Sequence, residues 1–372
     1  MNNCIALFIH LVVSIMLPTF VLQAQDTTRV SPQVTISGYT DVYYATFSDE
    51  SPSEALQPYT TASPRSDRFG LNVAQLSINY QASRVRSTVT LHYGDIAQAT
   101  WSETFNAVQE ANIGLMILED WWLDAGFFTT HIGTESFLPK NNLLSSTAVA
   151  TFNEPFFQSG ARISYEGSEN FSAQLHVVSG YNFFLDVNDA KSAGVLLSYN
   201  LSEEWSLTYT NLLGRESLDN LQPEQLRFYH NLYFNGTLGE KLRIIAGGDL
   251  GTQTNSQLDD GNATALIFNA LATIRYQFTP AWSITARGEL FSDSEGFISG
   301  TLPTELGGEQ GLQLTGLTLG AEYRPTDNSY LRIEGRSLAT DDALTLFDQG
   351  TDNTRLEWMV TTGIYFDHII RQ

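Results

Sequence analysis

The sequence is poor in cysteine and in basic residues. Cys4 is the only cysteine among 372 residues, so the chain beyond it has no disulfide and no cysteine-based metal site. Lys and Arg number 19 against 41 Asp and Glu, and the resulting net charge of -22 argues against binding to a phosphate backbone. We therefore expect no nucleic-acid partner, no metal and no cofactor.

Long hydrophobic runs are also missing after the N-terminus. No later segment approaches the roughly 20 apolar residues of a membrane helix, which excludes a helical membrane protein. Residues 4–22 are nearly all apolar and are followed by Leu22-Gln23-Ala24, a small-residue cleavage pattern. This pattern predicts a cleaved signal peptide at 1–24, with a retained membrane anchor as the alternative.

What the chain does contain is alternation of polar and apolar residues. In the segment WSITARGEL, at 282–290, the apolar residues occupy one face of a strand and the polar residues the other. This period of two recurs along nearly the whole chain, which is typical of a membrane barrel whose strands face lipid on one side and water on the other. A soluble β-sandwich is the alternative.

The connections between the alternating segments fall into two classes of length. About sixteen strands of roughly 9 to 11 residues can be drawn, joined alternately by short turns and long polar loops. The short turns are 81–84, 118–120, 166–170, 201–204, 236–241, 279–281 and 324–328; the long loops are 47–69, 94–106, 131–157, 180–191, 214–225, 252–262, 292–311 and 338–353. The pattern predicts an all-β, antiparallel, up-and-down transmembrane barrel with short periplasmic turns and long extracellular loops. We place a periplasmic segment at 25–33 and the single barrel domain at 34–372.

Aromatic residues cluster near the short turns. Barrels carry such residues where their strands cross the lipid headgroups, so the cluster predicts a girdle at the periplasmic end. Its predicted members are Tyr80, Trp121, Tyr165, Phe171, Tyr199, Trp205, Tyr276, Trp282, Tyr323 and Tyr330.

Three segments in the middle of the chain carry a family resemblance. They are DAGFFTTHIGTE at 124–135, PFF and GAR within 155–162, and VVSGYN at 177–182. In this order they resemble the OmpL-like β-barrel porins, the β-barrel porin-2 family. The resemblance implies an outer-membrane porin of Gram-negative bacteria, with no particular solute. Because the chain does not end on an aromatic residue, we expect the barrel-insertion machinery to recognise Tyr365 or Phe366.

Polar side chains on the predicted inner faces should line a pore. Period-two reading assigns Arg86, His92, Arg162, His176, Arg243, Asp249, Arg287, Glu289, Arg332, Glu334 and Arg336 to this lining. The charges near the C-terminal end could oppose one another across the lumen and select polar solutes. Alternatively, they neutralise one another as cross-strand pairs with little effect on selectivity.

The longest loop, at 131–157, is predicted to fold into the lumen as a constriction. It carries Glu135, Lys140 and Glu154 among apolar residues that could be buried. The alternative is an extracellular hydrophobic loop that contacts a partner, since loops mostly lie at surfaces.

These observations predict a porin that lets small hydrophilic solutes or ions diffuse through a charged lumen. A structural or adhesive barrel with a blocked lumen is the alternative, and a barrel phospholipase is a weaker one. His230, which could face outward beside Phe228 and Leu232, is the only suggestive catalytic placement, and no Gly-x-Ser-x-Gly motif is present, so we expect no enzyme. The expected partners are outer-membrane lipid, lipopolysaccharide near the acidic outer loops, and the insertion machinery. Self-association into a homo-oligomer stays open.

Overall fold

The computed structural model describes residues 31–49, 52, 54–185, 188–217, 223–305, 307–341 and 344–371. The predicted signal peptide at 1–24 and most of the predicted segment at 25–33 lie outside these ranges. The first strand begins at Gln33, one position before the expected start of the barrel.

Sixteen strands form one closed antiparallel barrel, as the alternation predicted. The chain closes where the first and last strands pair, with Gln33 opposite Arg371 and Phe47 opposite Glu357. The barrel strands are β1 Gln33–Phe47, β2 Arg68–Gln81, β3 Val85–Tyr93, β4 Val108–Leu118, β5 Trp121–Thr129, β6 Phe157–Tyr165, β7 Phe171–Val178, β8 Ser192–Asn200, β9 Trp205–Arg215, β10 Leu226–Leu238, β11 Leu242–Gln253, β12 Ala265–Thr279, β13 Trp282–Ser292, β16 Gln313–Thr326, β17 Ser329–Thr340 and β18 Thr354–Arg371. A small hairpin between β13 and β16 contains β14 Thr301–Pro303 and β15 Glu309–Gly311.

Several strands are longer than the predicted 9 to 11 residues. β18 has 18 residues, and β1 and β12 have 15 each. The last five residues of β18, Asp367–Arg371, follow the final aromatic residue and pair with β1 throughout. Backbone pairing therefore extends these strands past the point where the apolar pattern stops, because an unpaired strand edge would leave its backbone hydrogen-bonding groups unsatisfied.

The connections are sorted by length between the two ends of the barrel, as predicted. The short-turn end has the connections 82–84, 119–120, 166–170, 201–204, 239–241, 280–281 and 327–328. The long-loop end has 48–67, 94–107, 130–156, 179–191, 216–225, 254–264, 293–312 and 341–353. Two short helices, α1 Asp95–Thr100 and α2 Val149–Asn153, lie in the long loops. Within the described ranges, no helix has the length and apolarity to cross a membrane.

The outer face of the barrel is a continuous apolar surface. Large side chains such as Ile274, Leu317 and Ile333 are about half exposed there, in a position that suits lipid. Aromatic pairs at the short-turn end, including Trp282 with Tyr323 at a ring distance of 4.7 Å, lie on the same face.

The prediction that Tyr330 belongs to the aromatic girdle is wrong. Tyr330 is 1% exposed and points into the barrel, where its hydroxyl is 2.6 Å from that of Tyr39. Its ring fills the space opposite Gly363, at which a Cβ atom would lie 2.5 Å from the ring. The prediction used the position of Tyr330 at the strand end and neglected the face it shares with Arg332 and Glu334.

Candidate functional site

The longest connection of the barrel, residues 130–156, folds into the lumen; we call it the inner loop. It touches separate parts of the wall, since Thr134 Oγ1 accepts a hydrogen bond from Asn231 of β10 at 3.0 Å, whereas Ser146 Oγ donates to Glu334 of β17 at 2.7 Å. Its apolar side chains are buried, among them Phe137, Leu138, Leu143, Leu144 and Val149. Burying a side chain of this size contributes about 1.5 to 3 kcal/mol, which favours the inner position over an exposed one.

The wall that faces the inner loop carries a ladder of paired charges. Glu289 of β13 accepts from Arg336 of β17 at 3.1 Å and lies 3.6 Å from Arg287 of its own strand. Arg287 also binds Glu135 of the inner loop at 3.1 Å. The arginines and glutamates thus alternate on one wall and neutralise one another, as the second of the two sequence-based interpretations proposed.

A second group of charges in this wall centres on Glu322 of β16. Its carboxylate is 2.7 Å from Arg332, 3.0 Å from Arg275 and 2.9 Å from Arg324. At the long-loop end, Arg355 and Glu357 of β18 form a further pair at 2.6 Å. Sequence reasoning missed Arg275, Glu322, Arg355 and Glu357, although each stands two residues from another polar inner position, so the same alternation could have identified them. Because these groups are buried, losing one partner would leave an uncompensated charge.

The charged wall holds the backbone of the inner loop. Arg332 donates to the carbonyl oxygens of Pro139 and Asn142 at 2.9 and 3.0 Å. Arg287 donates to Ser146 O at 2.7 Å, and Glu289 accepts from Val149 N at 2.6 Å. These hydrogen bonds satisfy the polar backbone of a buried loop, which would otherwise be costly to leave without partners.

Eight of the residues predicted to line the pore are buried on the inner face. Their side chains lie on the inner face, but packing against the inner loop or other loops leaves them at most 8% exposed: His92, His176, Asp249, Arg287, Glu289, Arg332, Glu334 and Arg336. His92 packs on Trp101 with 4.7 Å between ring centres, and His176 stacks on His131 at 3.9 Å. Alternation identifies the inner face of a strand, whereas what covers that face depends on the loops.

A further contact between the inner loop and the wall is made by two carboxyl groups. Glu154, which follows α2, forms a side-chain hydrogen bond with Asp249 of β11, and both are almost fully buried. Asp249 also accepts from Asn231 Nδ2 at 2.7 Å. Burial, together with the nearby charges of Asp249 and Glu135, raises the pKa of Glu154 well above its ordinary value. Burial of this pair therefore favours the protonated form of Glu154.

Arg86 and Arg162 meet at Asp124, a residue that the predicted lining omitted. Asp124 of β5 is buried and accepts from Arg86 of β3 at 2.6 Å and from Arg162 of β6 at 3.1 Å. Arg86 also forms an ion pair with Glu166, which lies in a short turn, at an N–O distance of 2.8 Å. Both arginines stay partly exposed, so they face the water-accessible part of the lumen.

Two cavities remain beside the inner loop. The first, which we call the loop chamber, has a volume of about 380 Å³ and is bordered by Glu135, Glu154, Arg243 and strands β8, β10, β11 and β12. The second, the polar chamber, has about 440 Å³ and lies against β1 to β4, with Lys140 and Arg162 in its lining. Both include Thr129, Ser136, Phe137 and Asn141, so this part of the inner loop borders both chambers.

Comparison with known proteins gives a family and a fold. The model of the family described as beta-barrel porin-2, OmpL-like, matches residues 33–366. A search of the curated proteins gave no match. Among solved structures, the chain is similar to an anion-selective porin from Comamonas acidovorans, with a TM-score of 0.61, 11% identity, and 90% of this chain and 100% of that one covered. It is also similar to OmpT, an outer membrane protein of Vibrio cholerae, with a TM-score of 0.57 and 11% identity over 92% of this chain and 100% of OmpT. The outer membrane channel DcaP of Acinetobacter baumannii matches with a TM-score of 0.57 and 10% identity over 94% of this chain and 100% of DcaP.

Proposed function

Because the chain belongs to the OmpL-like beta-barrel porin-2 family, we propose that it is an outer-membrane diffusion channel for small hydrophilic solutes. The observation that carries the proposal is the pair of chambers between the inner loop and the wall, both of which are bordered by Ser136, Phe137 and Asn141. Solutes would pass these residues, and the inner loop would act as the constriction. The apolar outer face supports a position within a lipid bilayer.

Selectivity in this channel would come from few charges. The arginine and glutamate ladder is buried and internally neutralised, so it contributes stability and loop attachment more than an electric field in the pore. The ionisable groups that border the chambers include Lys140, Arg162 and Arg243 together with Glu110, Glu135, Glu154 and Asp367. Since both signs occur side by side, we expect weak discrimination between anions and cations.

The test uses the absence of cysteine after Cys4. Protein that starts at Gln25 and carries Asn141→Cys is refolded and inserted in planar bilayers, and single-channel current is recorded before and after a small polar thiol reagent is added. Asn141 is exposed and borders both chambers, so labelling at this position should reduce the current. Glu203→Cys, in an exposed short turn, is the matched control and should leave the current unchanged.

Absence of current steps from correctly folded wild-type protein would overturn the proposal. That result would favour a structural or adhesive barrel with a blocked lumen, which the burial of Arg287, Arg332, Arg336 and Arg355 also supports. A current that is insensitive to labelling would place the solute path away from the inner loop.

A lipid-hydrolysing barrel has less support. His230 lies on the outer face, where its Nδ1 is 2.7 Å from Tyr209 Oη and its ring centre is 3.9 Å from that of Phe228, with the rings tilted by 55°. These contacts give the imidazole a phenol and a hydrophobic ring, whereas hydrolysis would require an activated nucleophile beside it.

A further inference from the structure

The polar chamber is lined mainly by uncharged hydrogen-bonding groups. Consecutive inner positions of β2 and β3 supply Gln75, Ser77, Asn79, Thr88 and Thr90, and β4 adds Gln109. Amide and hydroxyl groups can both donate and accept hydrogen bonds. A solute with hydroxyl groups needs both kinds of partner, whereas a small anion needs donors and a small cation needs acceptors.

The amides of the chamber are held in fixed positions. Gln75 Nε2 donates to Gln109 Oε1 at 2.7 Å, and Lys140 Nζ of the inner loop donates to Gln75 Oε1 at 2.9 Å. Asn79 is fixed in the same way, because Thr88 Oγ1 donates to Asn79 Oδ1 at 2.9 Å. Groups that are already oriented lose little conformational entropy when a solute binds, which favours recognition over simple passage.

The charged groups at the edge of the chamber balance one another. Lys140 and Arg162 are matched by Glu110 and Asp367, so the formal charge of the lining is zero. Arg162 is engaged with Asp124 at 3.1 Å, and Glu110 accepts from Thr129 Oγ1 at 3.1 Å. Two apolar residues of the inner loop, Phe137 and Leu138, complete the lining and offer a surface to carbon-bound hydrogens.

We propose that the polar chamber is a binding site for uncharged polyhydroxylated solutes of the size of a small saccharide. The cavity volume of about 440 Å³ lies within the ordinary range for small-molecule pockets. The proposal rests on the function proposed above, since it takes the chamber to be part of the solute path. It adds to that function a substrate class and the residues that would recognise it.

The experiment measures interruptions of single-channel current in planar bilayers while a neutral disaccharide, the zwitterion glycine or the anion gluconate is added in turn. The disaccharide should interrupt the current in a concentration-dependent way, and glycine and gluconate should not. Gln109→Leu should weaken the disaccharide effect about tenfold, the equivalent of 1.4 kcal/mol. Gln81→Leu lies on the same strand as Gln75 but outside the chamber, and it should have no effect.

The outcomes separate the two proposals. A current that responds to gluconate or glycine more strongly than to the disaccharide would overturn the saccharide site and leave the channel function standing. An equal response of wild type and Gln109→Leu would do the same. If no current is seen at all, the channel function fails, and calorimetric titration of the folded protein with the disaccharide then decides whether the chamber binds it. Heat-dependent migration in gel electrophoresis verifies that each variant is folded.

Discussion

Ser146 donates twice to Glu334, from its amide nitrogen at 3.0 Å and from its hydroxyl at 2.7 Å to the same carboxylate oxygen. The two residues are 188 positions apart in the chain. The neighbouring amide of Ser145 donates to the other oxygen of Glu334. One carboxylate on β17 thus fixes the middle of the inner loop against the wall of the barrel.

Glu334→Ala should release this part of the inner loop. Because hydrogen bonds to a charged group contribute about 1.5 to 3 kcal/mol each, we expect the free energy of unfolding to fall by about 3 kcal/mol or more. The loosened loop should also give larger and more variable single-channel currents. Urea titration and bilayer recording measure the two effects, with Glu203→Ala in an exposed turn as the control. Unchanged currents from a folded variant would show that this attachment does not control the constriction.

Glu322→Gln should destabilise the barrel wall. The substitution removes the negative charge that Arg275, Arg324 and Arg332 share within 3.0 Å. Breaking a buried charge network costs about 3 to 5 kcal/mol, so the midpoint of urea unfolding should fall clearly. Arg324→Gln alters the most exposed of the three arginines and should cost much less. Equal losses in the two variants would contradict a central role for Glu322.

Glu154 should make the attachment of the inner loop depend on pH. Its pKa is raised by burial and by the charges of Asp249 and Glu135, so it holds a proton in the folded protein well above the pH at which an unfolded Glu would lose it. A raised carboxyl pKa means that the stabilising contribution is complete at low pH and is lost as the pH rises through the folded pKa. We therefore expect wild-type currents to become larger or noisier toward alkaline pH. Glu154→Gln should remove this trend, and persistence of the trend in that variant would assign it to another group.

A charged side chain on the outer face should destabilise the barrel. Ile274 of β12 is 46% exposed on the apolar surface, and a basic side chain on the lipid face of a barrel costs about 2 to 4 kcal/mol near the middle of the bilayer. Ile274→Arg should lower the free energy of unfolding in phospholipid vesicles by that amount. Ile274→Leu should change it little. A loss for the arginine variant that stays below about 1 kcal/mol would place this position outside the hydrocarbon layer.

The barrel itself could be predicted from short segments of sequence. Alternation along β13, from Trp282 to Leu290, depends only on neighbouring residues, because successive side chains of a strand point to opposite faces. The same rule places Arg287 and Arg332 on the inner face, and it would have corrected Tyr330 had it been applied there. Turn lengths are equally local, which is why the sorting of short and long connections matches the structure.

The state of the lumen could not be predicted in this way. Whether Arg287 faces water or is covered depends on Glu135 and Ser146, which reach it only after the inner loop has folded inward. The hydrogen bond between Glu154 and Asp249 likewise depends on two segments that lie far apart in the sequence. Alternation of residues therefore determined the strands, their faces and the barrel, because those are set by each residue's immediate neighbours and the solvent they meet. The tertiary structure alone decided which inner side chains are buried and where solute can lie, because burial depends on contacts between distant segments.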